Sequence, residues 1–474
     1  MSPFWKTVLC LTLFAAWRSQ VEFRSMTSRR PLDCAQRCPC SGESYLHHQH
    51  HHQPYTYSHA QAPEPMLATA RRFAEAPPGG DSVVGGDAKA SSQLRLAREV
   101  GLRAAAGRGS NFIVSPLSIH AALALVAAGA RGETLQELLG FLGSASLDEL
   151  HDAAWLGLVG KLNGLTQTSF ACGVWVDRGH ELQPEFMATA ASRYAATAES
   201  VDFIGSSQAE KARRRVNAFV EDATNGLVRD VLPPGSVDST TVVVLANALY
   251  FKGTWAQPFD QSATFTAPFH TPDGSVVRVP FMTTGRVDFE RQVAAYPGFR
   301  ALKLPYKIDY GDHHAPPAQA AFYMLILLPD DGDSLADLYD QAVATPEFIK
   351  SHTPAYEVPA GRFMVPKFKF TFEFEASEDM QKLGVARAFG GGDFSAMVSG
   401  GDGLFISGVY HKATIEVDEV GTVAAAATVV VMQQSGSALP PVDFVADRPF
   451  LFAIVEEKTS AVLFLGHVVN PASR

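Results

Sequence analysis

Five runs of this chain are too continuously apolar, or too regularly alternating, to rest anywhere but in a sheet: "VVVLANALYF", "AAFYMLILLPD", "FMVPKFKFTFEFE", "YHKATIEV" and "SAVLFLGHVV". An unbroken apolar run is a strand covered on both faces, and alternation is a strand with one wet face. A large, well-covered sheet is therefore required of any fold this chain adopts. Helices must supply the cover, and they lie mostly ahead of the strands. Leu94 to Ala105 carries apolar residues at helical spacing, and Ser115-Pro116 opens a second helix as cap and first-turn proline, running through "LSIHAALALVAAGA". "TLQELLGFL" follows, with Thr134 and Glu137 spaced as a capping box. The class is mixed α+β, and no long period repeats, which excludes solenoids and propellers.

The first ninety residues are of another kind. Lys6 precedes the apolar stretch "TVLCLTLFAAW", which resembles a signal peptide, while Phe14 and Trp17 interrupt the small-residue pattern of a cleavage point. Cys34, Cys38 and Cys40 with "HHQHHHQ" offer metal ligands. They lack the paired spacing of a zinc module and sit in polar, proline-rich sequence, so the reading is a disordered tail with no metal. From "PPGGDSVVGGDAKASS" onward regular apolar periodicity begins. The boundary falls near Ser91, dividing an extension over 1–90 from a folded domain over 91–474.

Composition narrows the function classes. The chain has 474 residues, 46% hydrophobic and 19% charged, enough for a substantial core. A formal charge of −10 argues against nucleic acid and against a polybasic membrane partner. The local run Arg213, Arg214, Arg215 reads as a solvated helix face. Of five cysteines only Cys172 lies beyond residue 40, so no disulfide framework holds the body together. Cys172 alternates with Phe170, Val174 and Val176 and reads as a buried strand thiol. There is no Asn-x-Ser/Thr acceptor, phosphate-binding loop, dinucleotide fingerprint, HExxH or GxSxG. The expectation is a protein that is not an enzyme and needs no cofactor.

One segment fits neither helix nor core. In "EVGTVAAAATVVV", Glu419 to Val431, four alanines favour helix and the valines after them favour strand, while Gly421 permits backbone angles other residues avoid. "KATIEVDE" before it is a strand pattern, and "QQSGSALPP" after it is loop. A small-residue, strand-prone ribbon thus joins a strand to an exposed loop.

"NFIVSPLSIHAALALVAAGARGET", "LANALYFKGTW", "VPKFKFTF", "HKATIEVDEVGTVAAAAT", "DFVADRPFLFAI" and "VLFLGHVVNP" stand in the order and spacing of the serpins. The body resembles that family over roughly Ser91 to Asn470, and "VLPPGSVD" with "DFVAD" resembles its plant branch. The resemblance implies a serpin fold: helices packed around a large central sheet, smaller sheets, and an exposed reactive-centre loop at about 419–443. It implies a hinge of Glu419, Gly421, Thr422, Ala424, Ala425, Ala426, Ala427 and Thr428, from which the loop enters the sheet as a new strand. On insertion Thr422, Ala424, Ala426 and Thr428 would share one face, and Val423, Ala425 and Ala427 the other. Family spacing from the hinge glycine implies a reactive bond at Ser435–Gly436, with a shift to Gln434 or Met432 left open. Ser115, Ser118, Asn247 and His411 match the polar cluster where the sheet opens, and Trp255 the aromatic at its top. By residue type alone each is an ordinary core residue.

The implied function is inhibition of a serine or cysteine protease by a monomer that is used once: acylation at Ser435, insertion, and distortion of the attached enzyme. Ser435 points to small-residue proteases of elastase type. With the whole ribbon from Gly421 to Gln434 stored outside the sheet, Thr422→Arg should block insertion and leave the uncleaved fold intact. A non-inhibitory serpin acting as carrier, storage protein or chaperone is the alternative, since Val420 and Val423 stand where many members have acidic residues. An outright hydrolase ranks third. The signal-like segment implies an extracellular, apoplastic protein, whereas a start near Met26 or Met66 implies a cytoplasmic one.

Overall fold

The computed structural model describes residues 94–104, 109–154, 165, 167–284, 289–308, 320–422 and 441–473. Cys10, Cys34, Cys38, Cys40, the histidine run and the alternative starts Met26 and Met66 lie outside the described residues.

Two strand systems organise the described chain. The first runs β1 (Phe112–Val114), β19 (Val462–Val468), β18 (Phe450–Glu456), β10 (Phe322–Pro329), β9 (Phe299–Pro305), β8 (Glu290–Tyr296), β11 (Val358–Pro366), β7 (Val276–Met282) and β6 (Phe265–His270), with β17 (Val442–Val445) parallel to β11. The second runs β3 (Thr197–Val201), β2 (Thr168–Asp177), β4 (Val243–Phe251), β15 (Ile406–Val417), β16 (Gly421–Thr422) and β5 (Gly253–Thr254), with β12 (Phe368–Glu375) on the far side of β15. A small hairpin pairs β13 (Gly392–Asp393) with β14 (Asp402–Leu404). All five strand runs read from the sequence lie in the two large systems.

Helix α1 covers residues 94–104. The next, α2 (Pro116–Gly129), starts as its sequence requires: Ser115 Oγ accepts the Ser118 amide and Pro116 occupies the first turn. It is buried almost all round because it packs against β2 and β4 on one side and β19 on the other. The other face of β2 and β4 is covered by α6 (Ser206–Ala223), which follows α3 (Gly132–Leu142), α4 (Leu147–Ala154) and α5 (Pro184–Tyr194). Val243 and Leu245 thus enter one core cluster, and Val244, Ala246 and Ala248 enter another with Trp175, Val216 and Val220 of the α6 side. Cover on both faces is why this strand reads as an unbroken apolar run. Later helices are α7 (Leu335–Ala344), α8 (Phe348–Ser351) and α9 (Ser377–Lys382).

Two local expectations change. The N-cap of α3 is Arg131, with no side-chain cap, and Thr134 and Glu137 do not form a capping box. Thr134 Oγ1 accepts the Asp393 amide at 2.9 Å, and Glu137 Oε2 accepts the amides of Ala386 and Arg387 at 3.0 and 2.8 Å. Tertiary donors have taken both side chains from the helix end. In the arginine run, Arg214 and Arg215 are solvated, but Arg213 is largely buried, donating to Glu210 and to the Leu232 carbonyl. Cys172 is fully buried in β2, and that burial pushes its thiol up to about 12, so it is no nucleophile.

Candidate functional site

Strands β4 and β15 run parallel, and their ladder extends only from Val243 opposite Ile406 to Asn247 opposite His411. Both strands continue. The outer side of β4 stays paired with β2 up to Phe251, and the outer side of β15 with β12 up to Val417. Their inner edges over 248–251 and 412–416 face one another without a ladder among the described residues. At the mouth of this gap sits β16: Thr422 lies opposite Val417 on one side, and Thr422 and Gly421 lie opposite Gly253 and Thr254 on the other. The sheet is split down its middle for a length of about 20 Å, at ~3.3 Å per strand residue.

The mouth is tightly built. Asp418 Oδ1 accepts the amides of Val420 and Gly421 at 2.8 and 3.1 Å, turning the chain back beside β15. Buried Trp255 donates from its indole to the Asp418 carbonyl and from its amide to the Val420 carbonyl, each at 2.9 Å. Its ring stacks on Tyr306 at 4.5 Å, and the Tyr306 hydroxyl lies 2.6 Å from Thr422 Oγ1. Burial raises the Tyr306 phenol far beyond its ordinary range, so it stays neutral and hydrogen-bonded. Glu419 bonds Lys367 Nζ and Thr264 Oγ1, both at 2.8 Å. Burial alone would raise its carboxyl, but these partners outweigh that and hold it below the usual range. At Gly421 a side chain is impossible without movement, because a Cβ there would stand 1.9 Å from the Gly253 carbonyl oxygen. The glycine serves close backbone approach rather than an unusual dihedral.

This geometry corrects one expectation. Gly421 and Thr422 are not stored outside the sheet; both are buried, Thr422 at 2% exposure, with Thr422 paired on two sides and Gly421 paired with Thr254. Thr422→Arg would therefore damage the intact protein as well as any inserted form. Ala424, Ala425, Ala426, Ala427, Thr428 and the bond Ser435–Gly436 lie outside the described residues.

At the closed end of the split, the sequence-selected polar residues meet. The Ser115 amide donates to His411 Nε2 at 3.2 Å, and His411 Nδ1 donates to Asn247 Oδ1 at 2.9 Å. The Ser118 hydroxyl donates to the same oxygen at 2.9 Å. All four residues are buried at no more than 1% exposure, with no counter-charge, and burial lowers the His411 imidazole to about 3. It is neutral with its proton on Nδ1, because Nε2 is an acceptor here. Asn247 Nδ2 is buried with no hydrogen-bond partner in the structure. This cluster cannot do acid–base chemistry at neutral pH; it is a neutral hydrogen-bonded knot at the point where pairing stops.

Tyr306, Thr264, Lys367, Asp418 and Gly253 complete the mouth and were not singled out from sequence. Gly253, Lys367 and Asp418 fall inside the segments that carry the family resemblance, whereas Tyr306 and Thr264 carry no local signal.

A family model described as "Serpin (serine protease inhibitor)" matches residues 91–471. The chain is 67% identical over 421 residues to putative serpin-Z12 of Oryza sativa subsp. japonica, covering 85% of this chain and 99% of that one. It is 43% identical to serpin-ZXA of the same plant, covering 80% and 96%. Among solved structures, Arabidopsis AtSerpin1 in its native stressed conformation superposes with a TM-score of 0.71 at 37% identity, covering 83% of this chain and all of that one. A cleaved form, serpin 42Da, superposes with a TM-score of 0.67 at 28% identity, covering 81% and 98%.

Proposed function

The chain belongs to the serpin family, a family of protease inhibitors rather than enzymes, and from that membership we propose that it traps a serine or cysteine protease by cleavage and insertion of its own loop. The observation that carries this reading is the split between β4 and β15 with two hinge residues already seated at its mouth. The protease's nucleophile attacks the Ser435 carbonyl carbon, the Gly436 nitrogen leaves as an amine, and the enzyme stays attached through an acyl bond to the new chain end. The freed end carries the enzyme along as the ribbon enters the split. No cofactor enters these steps, and the inhibitor acts as a monomer through its domain over 91–474, with residues 1–90 as an extension outside the trap.

The register supports the route. Counted from Thr422, the ribbon brings Thr428 opposite His411 along β15 and opposite Asn247 along β4, and those two residues already face each other. Two edges thus ask for the same strand in the same register. Thr422 faces the core side, so Ala424, Ala426 and Thr428 follow it there by alternation, and small side chains enter with little displacement. The Thr428 hydroxyl arrives beside Asn247 Nδ2, which lacks a partner in the structure.

A panel of serine and cysteine proteases, with elastase-type enzymes included because Ser435 is small, tests this reading. At least one should form a complex with the intact protein that survives boiling in detergent. If every enzyme cuts the loop and departs, the non-inhibitory reading replaces it. That reading draws on Val420 and Val423 in the hinge, and thyroxine-binding globulin, complexed with thyroxine, has the same fold with a TM-score of 0.66 at 25% identity.

A further inference from the structure

Among the described residues one lysine and one arginine are buried, Lys303 and Arg291, and the fold treats them differently. Lys303 ends on Glu457 Oε1 at 2.5 Å. Arg291, on β8 and 8% exposed, makes no ion pair among the described residues. Its Nη1 donates to Gln257 Oε1 and, at 3.4 Å, to the Glu290 carbonyl, both neutral acceptors. Its Nε is buried with no hydrogen-bond partner in the structure. The guanidinium lies over the rings of Phe289 and Phe363, 5.1 and 5.7 Å from their centroids. Burial lowers the group to about 10, so it keeps its charge at neutral pH. A buried charge is ordinarily paired, and two ring faces with an amide oxygen compensate only part of its desolvation. Glu357 lies near enough to favour the charge, yet it is exposed and does not pair with it.

We infer that Arg291 is the anchor of a binding site for a small monocarboxylate carried on an apolar body. Both neutral acceptors use Nη1, which leaves the edge formed by Nε and Nη2 with no acceptor among the described residues. Two N–H groups along one edge of a planar fork match the two oxygens of a carboxylate. Gln257 is exposed and Phe289 half-buried, so the guanidinium is reached from solvent by displacing the Gln257 amide. The rings of Phe289 and Phe363 then give the ligand an apolar wall beside its charged end. Charge sets the other limit. A single guanidinium stands here with the carboxylates of Glu290 and Glu357 close by, so a second negative charge, as on phosphate at neutral pH, meets repulsion. The site adjoins the mouth of the split, two residues beyond Trp255, and the inference is independent of loop insertion.

Titration calorimetry of the full-length protein tests this, with sodium benzoate as the probe and chloride holding the ionic strength constant. The expected result is saturable binding of one benzoate per chain, with a dissociation constant on the order of 1 mM for so small a ligand. Acetate, which lacks the apolar body, and inorganic phosphate, which carries the extra charge, should each bind several-fold more weakly. Arg291→Met should abolish benzoate binding and still fold, since an apolar side chain of similar length replaces an unpaired charge; its melting curve without ligand checks that. Arg291→Lys keeps the charge without the fork and should weaken binding about tenfold, which carries the test if the methionine variant does not fold. Glu357→Gln removes a nearby negative charge and should tighten binding several-fold. No saturable binding to the wild type, or undiminished binding to Arg291→Met or Arg291→Lys, overturns the site. Phosphate or acetate binding as tightly as benzoate overturns the ligand class.

Discussion

Thr422 and His411 mark the two ends of the split, and each makes an expected outcome at the scale of one side chain. Thr422 is buried against the Tyr306 hydroxyl before any protease arrives. Thr422→Arg should therefore lower the urea midpoint of the intact protein, by a loss on the order of several kcal/mol for an unpaired buried charge, while Thr422→Ser, which keeps the hydroxyl, should lose less. Gly421→Ala should behave similarly, because its Cβ meets the Gly253 carbonyl and neither backbone segment has room to retreat. For His411 the sign follows from its lowered value of about 3 in the fold against an ordinary 6.5 unfolded. The unfolded chain binds the proton first, so the stability of the neutral imidazole is fully present above pH 6.5 and is lost as pH falls toward 3. The slope is about 1.4 kcal/mol per pH unit for one proton. Between pH 7 and 5, the urea midpoint of the wild type should fall more steeply than that of His411→Gln. His467, lowered to about 4 by burial, adds a similar slope common to both proteins.

At the scale of elements, the telling pair is β4 and β15, parallel neighbours that share a ladder over half their length. Exchange of backbone hydrogens should expose this directly. The inward amides of 248–251 and 412–416 should exchange faster in the intact protein than their outward neighbours, which are tied to β2 and β12, and should become strongly protected after loop cleavage. Equal exchange in both forms would deny that the ribbon fills the gap. Much of this arrangement was legible in the chain. "VVVLANALYF" declared a strand covered twice, "KFTFEFE" one with a wet face, and Ser115-Pro116 a capped helix, because each is a local pattern with a local cause. The split was not legible, since absence of pairing between two good strands is a property of their spacing. Nor were Tyr306 and Thr264, which reach the mouth from distant strands and loops, or the tertiary capture of Thr134 and Glu137 from their helix. Thr422 was expected outside the sheet and is instead buried within it, because its partners Val417 and Gly253 are set by tertiary register alone.

At the scale of the whole molecule, an ordinary nick loosens a fold by adding chain freedom. Here cleavage after Ser435 should do the reverse, since the ribbon gains a ladder on each side and closes the sheet. Hydrogen bonds worth about 1 kcal/mol each along two edges, after the cost of ordering the ribbon, should lift the melting temperature by about 10 °C or more. Calorimetry of intact and nicked protein measures it, and an unchanged or lower value leaves a serpin that does not insert its loop. The gap between β4 and β15 has room for one strand, and in the intact protein it ends at the His411–Asn247 rung. A device with one vacancy discharges once. On the trapping reading, its effect on a protease is therefore a matter of counting rather than of equilibrium. Enzyme is removed molecule for molecule until the stock is spent, and nothing is returned by dilution. The threshold at which proteolysis escapes control is then set by how much of the protein has been made and how fast it is replaced, with no dissociation constant to tune.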